Sequence, residues 1–455
     1  MKILTTKSAW FHDSDLRLDA SFHLSEGRVS KIQVLKCPYK IDSLGNLTSD
    51  IFYGGRARRV YVEDKERGIP FMGSSDMLKA DLNSLKYIST KNTKNLSGFI
   101  LKKDWILISR SGTVGNTAYT NEIFEDKAAS EHIIRVVPKK GQYSGYMYAF
   151  LSSKYGYNLM TQGIFGAVIQ HIEPNFLSGL PIPLLPEKQQ EEIHQLIVDA
   201  AQLRVEANRL LNGVIAEIEK GFEFESDKKV ISVNIKEINN GDKYTNEARL
   251  EADFYSVNVK KIIQQIQINN SSYLGDLATT VNRSGLRERT FVSDGIPLIT
   301  GQNLNLNSLR DLKKLSRKFT RNIEKNTTAN SDILISVQGT IGKIEYVFDN
   351  IYKNVFASEQ LTKVKIDPDL IHPGYVFAFL KSKLGQAQLL KFKTGSVIEW
   401  IIEHNIKSVL IPIPEDKGYS IGEQINKLTL QRQEAYQKET QAIQLIENEI
   451  STWQV

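Results

Sequence analysis

The sequence predicts an α+β protein in which two tandem α/β units are separated by two long helices. Three observations support this prediction. A series of sequence blocks occurs twice in the same order, each copy mixes short β-branched runs with glycine-rich turns, and each copy ends at a proline-marked stop followed by a long helical pattern. The chain has 455 residues, which is more than a single hydrophobic core usually organises.

The clearest repeat is ILISRSGTVG from Ile106, which returns as ILISVQGTIG from Ile333 with seven of ten positions identical. Further pairs keep the same order: RLDASF from Arg17 with RLEADF from Arg249, GIPFMGSSDM from Gly68 with GIPLITGQNL from Gly295, Ser130–Glu131 with Ser358–Glu359, GYMYAFLSSKYG from Gly145 with GYVFAFLKSKLG from Gly374, and LPIP from Leu180 with IPIP from Ile411. The separations stay between 227 and 232 residues. The chain is therefore a tandem duplication.

Each copy contains strand-like runs, namely WILIS and HIIRVVP in the first and DILIS and LTKVKI in the second. A helix is expected after Gly145 and after Gly374. Tyr146 and Phe150 share a helical stripe with alanine and leucine, which favours a core position over a base-stacking surface.

A heptad-like pattern follows Pro186 and predicts the first long helix. Its predicted seam consists of Ile193, Leu196, Ala200, Leu203, Ala207, Leu210 and Val214. The second long helix is predicted from about Ile421 to Ile450, with Ile425, Leu428, Ala435, Ala442 and Ile446 on its seam and with Arg432 and Glu439 interrupting it. Each helix could pack on its own unit, or the two could pair as an antiparallel coiled coil about a pseudo-twofold axis. Duplication favours the pairing.

The predicted boundaries are 1–185 for the first unit, 186–224 for the first long helix, 225–415 for the second unit and 416–455 for the second long helix. A helix of about 30 residues is roughly 45 Å long. That length corresponds to about 13 base pairs of duplex DNA. Paired helices could therefore hold two DNA readers at a fixed distance.

Composition limits the possible environments and partners of the chain. The net charge of +6 permits a polyanionic partner without requiring one. The one cysteine, Cys37, cannot form an internal disulfide and fits a reducing compartment. No apolar run reaches membrane-spanning length and the N-terminus is polar, so we expect a cytoplasmic protein.

Catalytic motifs are missing from the sequence. Glu173-Pro174-Asn175-Phe176 lacks the paired prolines of an adenine methyltransferase tetrapeptide, and GTIGK from Gly339 lacks the phosphate-loop spacing. Glu-Asp-Lys tripeptides begin at Glu63, Glu125 and Glu415, but this tripeptide is common by chance in a charged chain. The histidines show no metal-ligand spacing. We therefore expect neither a catalytic site nor a metal or cofactor in this chain.

Two kinds of segment are candidates for DNA contact. The glycine turns after the repeated strands let backbone or side-chain groups approach phosphates or base edges, unless they are purely structural hairpins. Basic clusters form the second kind, although such clusters are often solvated loops. The candidate DNA-binding residues are Arg110, Ser111, Thr113, Gln338, Thr340 and Lys343 from the turns and Arg56, Arg58, Arg59, Arg283, Arg287 and Arg289 from the clusters.

The duplicated series resembles the specificity (S) subunits of Type I restriction-modification systems. The resemblance is carried by ILISRSGTVG and DILISVQGTIG, the Ser–Glu pair, the GY-FAFL-SK helix, LPIPLLPEKQQEEI and the long helix that closes each half. It covers nearly the whole chain, although the second junction, IPIPEDKGYSIGEQI, lacks the fuller form of the first.

The resemblance implies two target recognition domains that each read one half of a split double-stranded DNA site. It also implies paired helices that set the gap and dock two methyltransferase (M) subunits, which hold S-adenosylmethionine. Restriction (R) subunits that use ATP and Mg²⁺ would join this complex. The sequence thus predicts a non-catalytic recognition subunit. The alternatives are a cryptic metal-dependent nuclease that uses a Glu-Asp-Lys lysine, and a protein- or RNA-binding adaptor.

Overall fold

The computed structural model describes residues 20–23, 25–56, 59–63, 65–164, 170–225, 232–234, 238, 242–245 and 248–453. The chain divides into two compact units. Unit 1 comprises Met1–Val205 together with Glu434–Val455, and unit 2 comprises Glu206–Gln433. Both boundaries fall inside the long helices, so each unit contains part of each of them.

The helices are α1 Ala20–His23, α2 Glu26–Val34, α3 Leu44–Leu47, α4 Ser144–Ser152, α5 Lys154–Gln162, α6 Pro174–Ser178, α7 Glu187–Glu219, α8 Val257–Gln267, α9 Leu274–Leu277, α10 Ile323–Asn326, α11 Pro373–Lys381, α12 Lys383–Leu390, α13 Glu403–Lys407 and α14 Tyr419–Thr452. The strands of unit 1 are β1 Ile41–Ser43, β2 Thr48–Phe52, β3 Tyr61–Val62, β4 Gly68–Met72, β5 Lys86–Ser89, β6 Ile106–Ser109, β7 Thr117–Tyr119, β8 Ala128–Ala129, β9 Ile133–Pro138 and β10 Pro181–Pro183. Those of unit 2 are β11 Ser271–Tyr273, β12 Ala278–Arg283, β13 Phe291–Val292, β14 Ile296–Ile299, β15 Lys314–Leu315, β16 Asp332–Ser336, β17 Ile344–Tyr346, β18 Phe356–Ala357, β19 Leu361–Ile366 and β20 Leu410–Pro412.

Unit 1 is built on two four-stranded sheets. One is antiparallel with the order β2-β9-β6-β7, and the other has the order β3-β5-β4-β8 with β4 and β8 parallel. All four residues of β6 are buried. Ile106 and Ile108 pack into the main core of the unit, whereas Leu107 packs with Met72 and Ala129 of the second sheet. A strand that is covered on both faces needs apolar residues on both, which explains the run Ile106–Ile108, and the buried Ser109 that follows has its hydroxyl hydrogen-bonded to the N–H of Asn116.

Unit 2 repeats this topology strand for strand. Its sheets have the orders β12-β19-β16-β17 and β13-β15-β14-β18. Ile333 and Ile335 of β16 face the main core, and Leu334 faces the second sheet. This mixture of helices and strands confirms the α+β class.

The repeated Gly-Tyr motif joins a helix to a short strand in each unit. The hydroxyl of Tyr146, which is buried, donates to the carbonyl of Pro183, and the hydroxyl of Tyr375 donates to the carbonyl of Pro412 at 3.0 Å. The motif therefore holds helices α4 and α11 against strands β10 and β20. Burial of Tyr146 agrees with the core role predicted for this aromatic stripe.

The glycine of the motif lets a long helix approach closely. A Cβ atom at Gly145 would lie 2.8 Å from the carbonyl oxygen of His194 on α7, and one at Gly374 would lie 2.9 Å from that of Gly422 on α14. Such separations are too short for real Cβ contacts. Both repeats therefore need glycine where the long helix begins its packing.

The two long helices pack against each other within unit 1. Gln189 and Ile193 lie beside Leu445 and Glu449, whereas Arg204, further along α7, pairs with Glu439. The first helix therefore runs antiparallel to the second in this unit. In unit 2, Ile218, Leu211 and Ala207 share a core with Ile421, Ile425 and Leu428.

The predicted seam of α7 is confirmed at Ile193, Ala200, Ala207 and Val214, which are buried, and is displaced at the positions between them. Leu196, Leu203 and Leu210 are only half-buried. The buried positions lie one residue later and include Ile197, Leu211 and Ile218, with Arg204 at the intervening place. Apolar residues stand next to each other along this helix, so a three-and-four spacing could be drawn through either set. The packing of α7 buries the set that includes Ile197, Leu211 and Ile218.

A glutamate near the C-terminal end of each long helix caps a short helix. Glu447 accepts a hydrogen bond from the backbone N–H of Lys154 at 2.6 Å, and Glu219 accepts one from that of Lys383 at 2.7 Å. Carboxylates are favourable at helix N-termini, where backbone N–H groups lack partners. Within the described part of the chain, none of the helices combines the length and hydrophobicity of a membrane span.

Candidate nucleic-acid interface

The first glycine turn connects β6 to β7 in unit 1. The N–H of Gly115 donates to the carbonyl of Ser109 at 3.0 Å, and the Ser109 hydroxyl accepts from the N–H of Asn116 at 2.9 Å. Gly112 and Gly115 have φ angles of 82° and 88°, a region that favours glycine. This closure leaves Thr113 exposed at the tip of the turn.

The second turn, between β16 and β17, closes in the same way. The N–H of Gly342 donates to the carbonyl of Ser336 at 3.1 Å, and Gly339 and Gly342 again have positive φ angles. Thr340 is exposed at its tip. Lys343 lies at the end of the turn with its ammonium group 3.5 Å from the carbonyl of Gln302.

Arg110 and Ser111 are held by neighbours. The Arg110 guanidinium pairs with Glu173 and lies 4.2 Å from the ring centre of Tyr53. Ser111 is buried, and its hydroxyl lies 2.5 Å from Nδ1 of His132. The first turn therefore presents Thr113 to solvent and keeps Ser111 inside.

Arg59 pairs with the glutamate of the repeated Ser–Glu motif. Its Nη2 atom lies 3.0 Å from both carboxylate oxygens of Glu131. Burial disfavours the charged carboxylate, but hydrogen bonds from its own backbone and from Arg59 outweigh this and lower the pKa of Glu131. Glu131 therefore stays ionised beside the arginine. Arg56 is exposed, and Arg58 lies outside the described residues.

Unit 2 repeats this pairing at the equivalent position, two residues before β13. Arg289 pairs with Glu359, the second copy of Glu131. Arg283 donates to the backbone carbonyl of Glu359 and to the side-chain oxygen of Gln338 at 2.8 Å. Arg287 is exposed. One contact chain thus joins the basic cluster of unit 2 to its glycine turn.

We call these two arrangements the arginine–glutamate sites. The first consists of Arg59, Glu131, His132 and Ser111, and the second of Arg289, Arg283, Glu359 and Gln338. The sequence alone points to the arginines and the turns and gives no role to Glu131, Glu359 or His132. Recurrence of the Ser–Glu pair was the available signal, since the repeat preserves it while the neighbouring loops differ.

The buried Arg135 holds the backbone next to Glu131 in the first site. Arg135 is fully buried and donates to the backbone carbonyls of Ser130 at 3.1 Å and Ile133 at 2.7 Å, which lie on either side of Glu131 and His132. Burial lowers the pKa of Arg135 to about 10, so it stays charged at neutral pH. In unit 2 the matching residue is Lys363, whose ammonium donates to the carbonyl of Thr327 at 2.9 Å. Arg135 and Lys363 thus donate hydrogen bonds to backbone carbonyl groups that would otherwise lack a partner.

The sites offer hydrogen-bond donors and positive charge. Guanidinium groups with spare N–H donors can bind a phosphate or the edge of guanine, and an amide such as that of Gln338 can bind adenine. Among the residues that the structure describes, no three His, Cys, Asp or Glu side chains cluster as metal ligands do. The arrangement suits recognition of a nucleic acid.

Comparison with known proteins identifies relatives. Residues 49–220 match the family described as the Type I restriction modification DNA specificity domain. The chain is 19% identical over 388 residues to the Type I restriction enzyme EcoBI specificity subunit of Escherichia coli, which covers 82% of this chain and 75% of that relative.

Solved structures with a similar chain course include the S subunit of a Type I restriction-modification system from M. genitalium, with 13% identity, a TM-score of 0.30 and coverage of 92% of this chain and 96% of that one. The HsdS subunit from Thermoanaerobacter tengcongensis has 13% identity, a TM-score of 0.29 and coverage of 91% and 96%. Both TM-scores lie below 0.5, so the relation of this chain to specificity subunits rests on the two sequence matches and not on these structures.

Proposed function

We propose that this chain, which is related to the specificity subunits of Type I restriction-modification systems, selects the DNA sequence on which such a complex acts. Its homologues are specificity subunits, so the chain directs an enzyme to DNA and performs no catalysis itself. Methyl transfer and cleavage would belong to partner M and R subunits.

One observation carries the proposal. The duplicated fold repeats an arginine–glutamate pair, Arg59 with Glu131 and Arg289 with Glu359, and surrounds it with different side chains in the two units. His132 and Ser111 lie beside the first pair, and Arg283 and Gln338 lie beside the second. A common scaffold with different contact residues is what two readers of two different half-sites require. We therefore propose a bipartite site, with one half read by residues 1–185 and the other by residues 225–415.

The long helices supply the spacing in this proposal. Contacts such as Arg204 with Glu439 in unit 1 and Glu206 with Gln431 in unit 2 support an antiparallel pair that joins the two readers. Helices of 33 and 34 residues are each about 50 Å long. The paired helices would fix the number of base pairs between the half-sites and would offer docking surfaces to M subunits.

A domain exchange tests this function. Residues 1–185 are replaced by the matching segment of a relative with a different target, the hybrid is expressed with its M subunits, and methylated adenines are mapped across the genome. We expect one half of the methylated sequence to change and the other half and the gap to persist. The reciprocal exchange of residues 225–415 serves as the control. A change in both halves after one exchange would refute the two-reader assignment.

A further inference from the structure

A second repeated turn lies close to each arginine–glutamate site. It reads ISTKNTKN from Ile88 and LSRKFTRN from Leu315, 227 residues apart. Serine, lysine, threonine, a further basic residue and asparagine recur at the same places. We call Ser89–Asn95 and Ser316–Asn322 the basic turns.

Each basic turn is closed by a hydrogen bond from its threonine to the carbonyl of its serine. At their base, Thr93 donates its hydroxyl to the carbonyl of Ser89 at 2.6 Å, and the N–H of Thr320 donates to the carbonyl of Ser316 at 3.0 Å. These serines and threonines are buried. Each turn ends at an asparagine in the left-handed region, with a φ of 53° at both Asn95 and Asn322. Asparagine tolerates this conformation better than most residues. The repeat therefore preserves the threonine–serine contact and the left-handed asparagine together with the residue types.

The basic turns present cations to solvent. Lys91 and Lys94 are exposed in the first turn, and Arg317, Lys318 and Arg321 are exposed in the second. Neither turn contains an acidic residue. In the described part of the chain none of these five side chains takes part in a salt bridge, and Lys318 only lies 5.4 Å from the ring centre of Phe319. Their charge is available to a partner.

Backbone hydrogen bonds place each basic turn beside its arginine–glutamate site. The N–H of Ser89 donates to the carbonyl of Val60 at 2.8 Å, next to Arg59, which pairs with Glu131. The N–H of Ser316 donates to the carbonyl of Thr290 at 2.9 Å, next to Arg289. In both units, one edge of the second sheet therefore carries the turn and the site together.

We propose that the basic turns bind the phosphate backbone of duplex DNA and fix the register in which each arginine–glutamate site meets the base edges. This proposal rests on the proposed function and adds a binding element to it. Exposed lysines and arginines without fixed partners are mobile charges, so they suit phosphates and carry no sequence information, whereas arginines held by fixed partners suit base edges. Preservation of the turns between repeats fits a contact that is independent of sequence.

The test measures how salt weakens binding of the full-length chain to a fluorescein-labelled duplex of arbitrary sequence. The variants are Lys91→Gln/Lys94→Gln and Lys318→Gln/Arg321→Gln. Each lost phosphate contact should reduce the slope of log K against log salt by about 1, so each variant should lose about 2 and bind all sequences more weakly. Thermal unfolding should stay unchanged, because these side chains are exposed.

The control variant is Lys139→Gln/Lys140→Gln, which removes the same charge beyond the far end of β9 from Glu131. We expect it to keep the wild-type slope. Wild-type slopes in both turn variants, with steep salt dependence in the wild-type chain, would overturn the phosphate role while leaving DNA recognition intact. A wild-type chain that binds no duplex would instead contradict the proposed function. An equal loss in the control would show that net charge alone is responsible and would also overturn the proposal.

Discussion

The hydroxyl of Tyr148 donates a hydrogen bond of 2.7 Å to the carboxylate of Glu439, which also pairs with Arg204. This group lies where helix α4 meets the two long helices in unit 1. The matching residues of unit 2 are Phe377, Leu211 and Arg432. In unit 2 Leu211 replaces the carboxylate and Phe377 replaces the hydroxyl, so both members of the hydrogen bond are changed at once.

Removal of the Glu439 carboxylate should destabilise unit 1. The side chains of Arg204 and Glu439 are only 12% and 7% exposed, and Glu439→Ala would leave a buried guanidinium without its acidic partner. Loss of one member of such a pair costs about 3 to 5 kcal/mol. Glu434→Gln, at an exposed position of the same helix, should cost less than about 0.5 kcal/mol. Urea unfolding measures both variants.

The apolar triple variant Arg204→Leu/Glu439→Leu/Tyr148→Phe should recover most of the stability lost in Glu439→Ala, because it removes all three buried polar groups together. If Glu439→Ala proved as stable as the wild-type chain, the ion pair would contribute nothing to the folding of unit 1.

Stability should fall in mild acid because of the buried His372 and the half-buried His194. Nδ1 of His194 accepts from the N–H of Gly145 at 3.0 Å, and Nδ1 of His372 accepts from that of Gly374 at 3.0 Å. Burial lowers the pKa of His194 against the attraction of Asp104 and Glu191, and it lowers that of His372 against Glu423.

As the pH falls, these two histidines are protonated in the unfolded chain before they are protonated in the folded chain. The stability is therefore complete above the ordinary pKa of 6.5 and declines as the pH falls towards the folded values. His194→Asn and His372→Asn keep a hydrogen-bond acceptor and remove the titration. In thermal melts from neutral to mildly acidic pH, the double variant should lose less stability than the wild-type chain. Parallel curves for the two proteins would contradict this origin of the acid sensitivity.

Lengthening both long helices should widen the gap between the half-sites. A heptad inserted after Val205 and another after Gln433 occupy matched places and add about 10 Å, or three base pairs, to the paired helices. We expect the mapped methylation sites to keep both halves and gain about three base pairs between them. A heptad in one helix alone should disrupt the seam and abolish methylation.

An insertion of equal length after Gly141, in a surface turn of unit 1, should leave the gap unchanged. An unaltered gap in the doubly lengthened chain would exclude the helices as the spacer.

Arg283 should affect only one half of the recognised sequence. It connects Glu359 to Gln338 in unit 2, so Arg283→Ala should relax discrimination at one or two base pairs of the half-site read by that unit. A bidentate base contact is worth about 1 to 3 kcal/mol. Methylation mapping should show degenerate bases in one half and an intact second half, and Arg59→Ala should show the reverse. Uniform loss of methylation without degeneracy would indicate a phosphate or structural role.

Sequence reasoning identified the duplication, the strands around ILIS and the two long helices, because each of these depends on local periodicity that the repeat displays twice. Three of the seven predicted seam positions of α7 are displaced, since neighbouring apolar residues satisfy two stripes and only the packing partner distinguishes them. Glu131 was overlooked for a similar reason. Its meaning depends on Arg59, which lies 72 residues away. Positions of contact side chains depend on such long-range pairs, whereas strands and helices depend on neighbours.

The composition of unit 1 from two distant stretches governs the order of folding during synthesis. Unit 2 is one continuous stretch, Glu206–Gln433, so its core needs no residue that is synthesised after Gln433. Unit 1 needs Ala442, Ile446 and Ile450 from the last part of the chain to fill its core. The first half of the chain to emerge is therefore the last to mature, and until then it exposes the apolar surface that α14 finally covers.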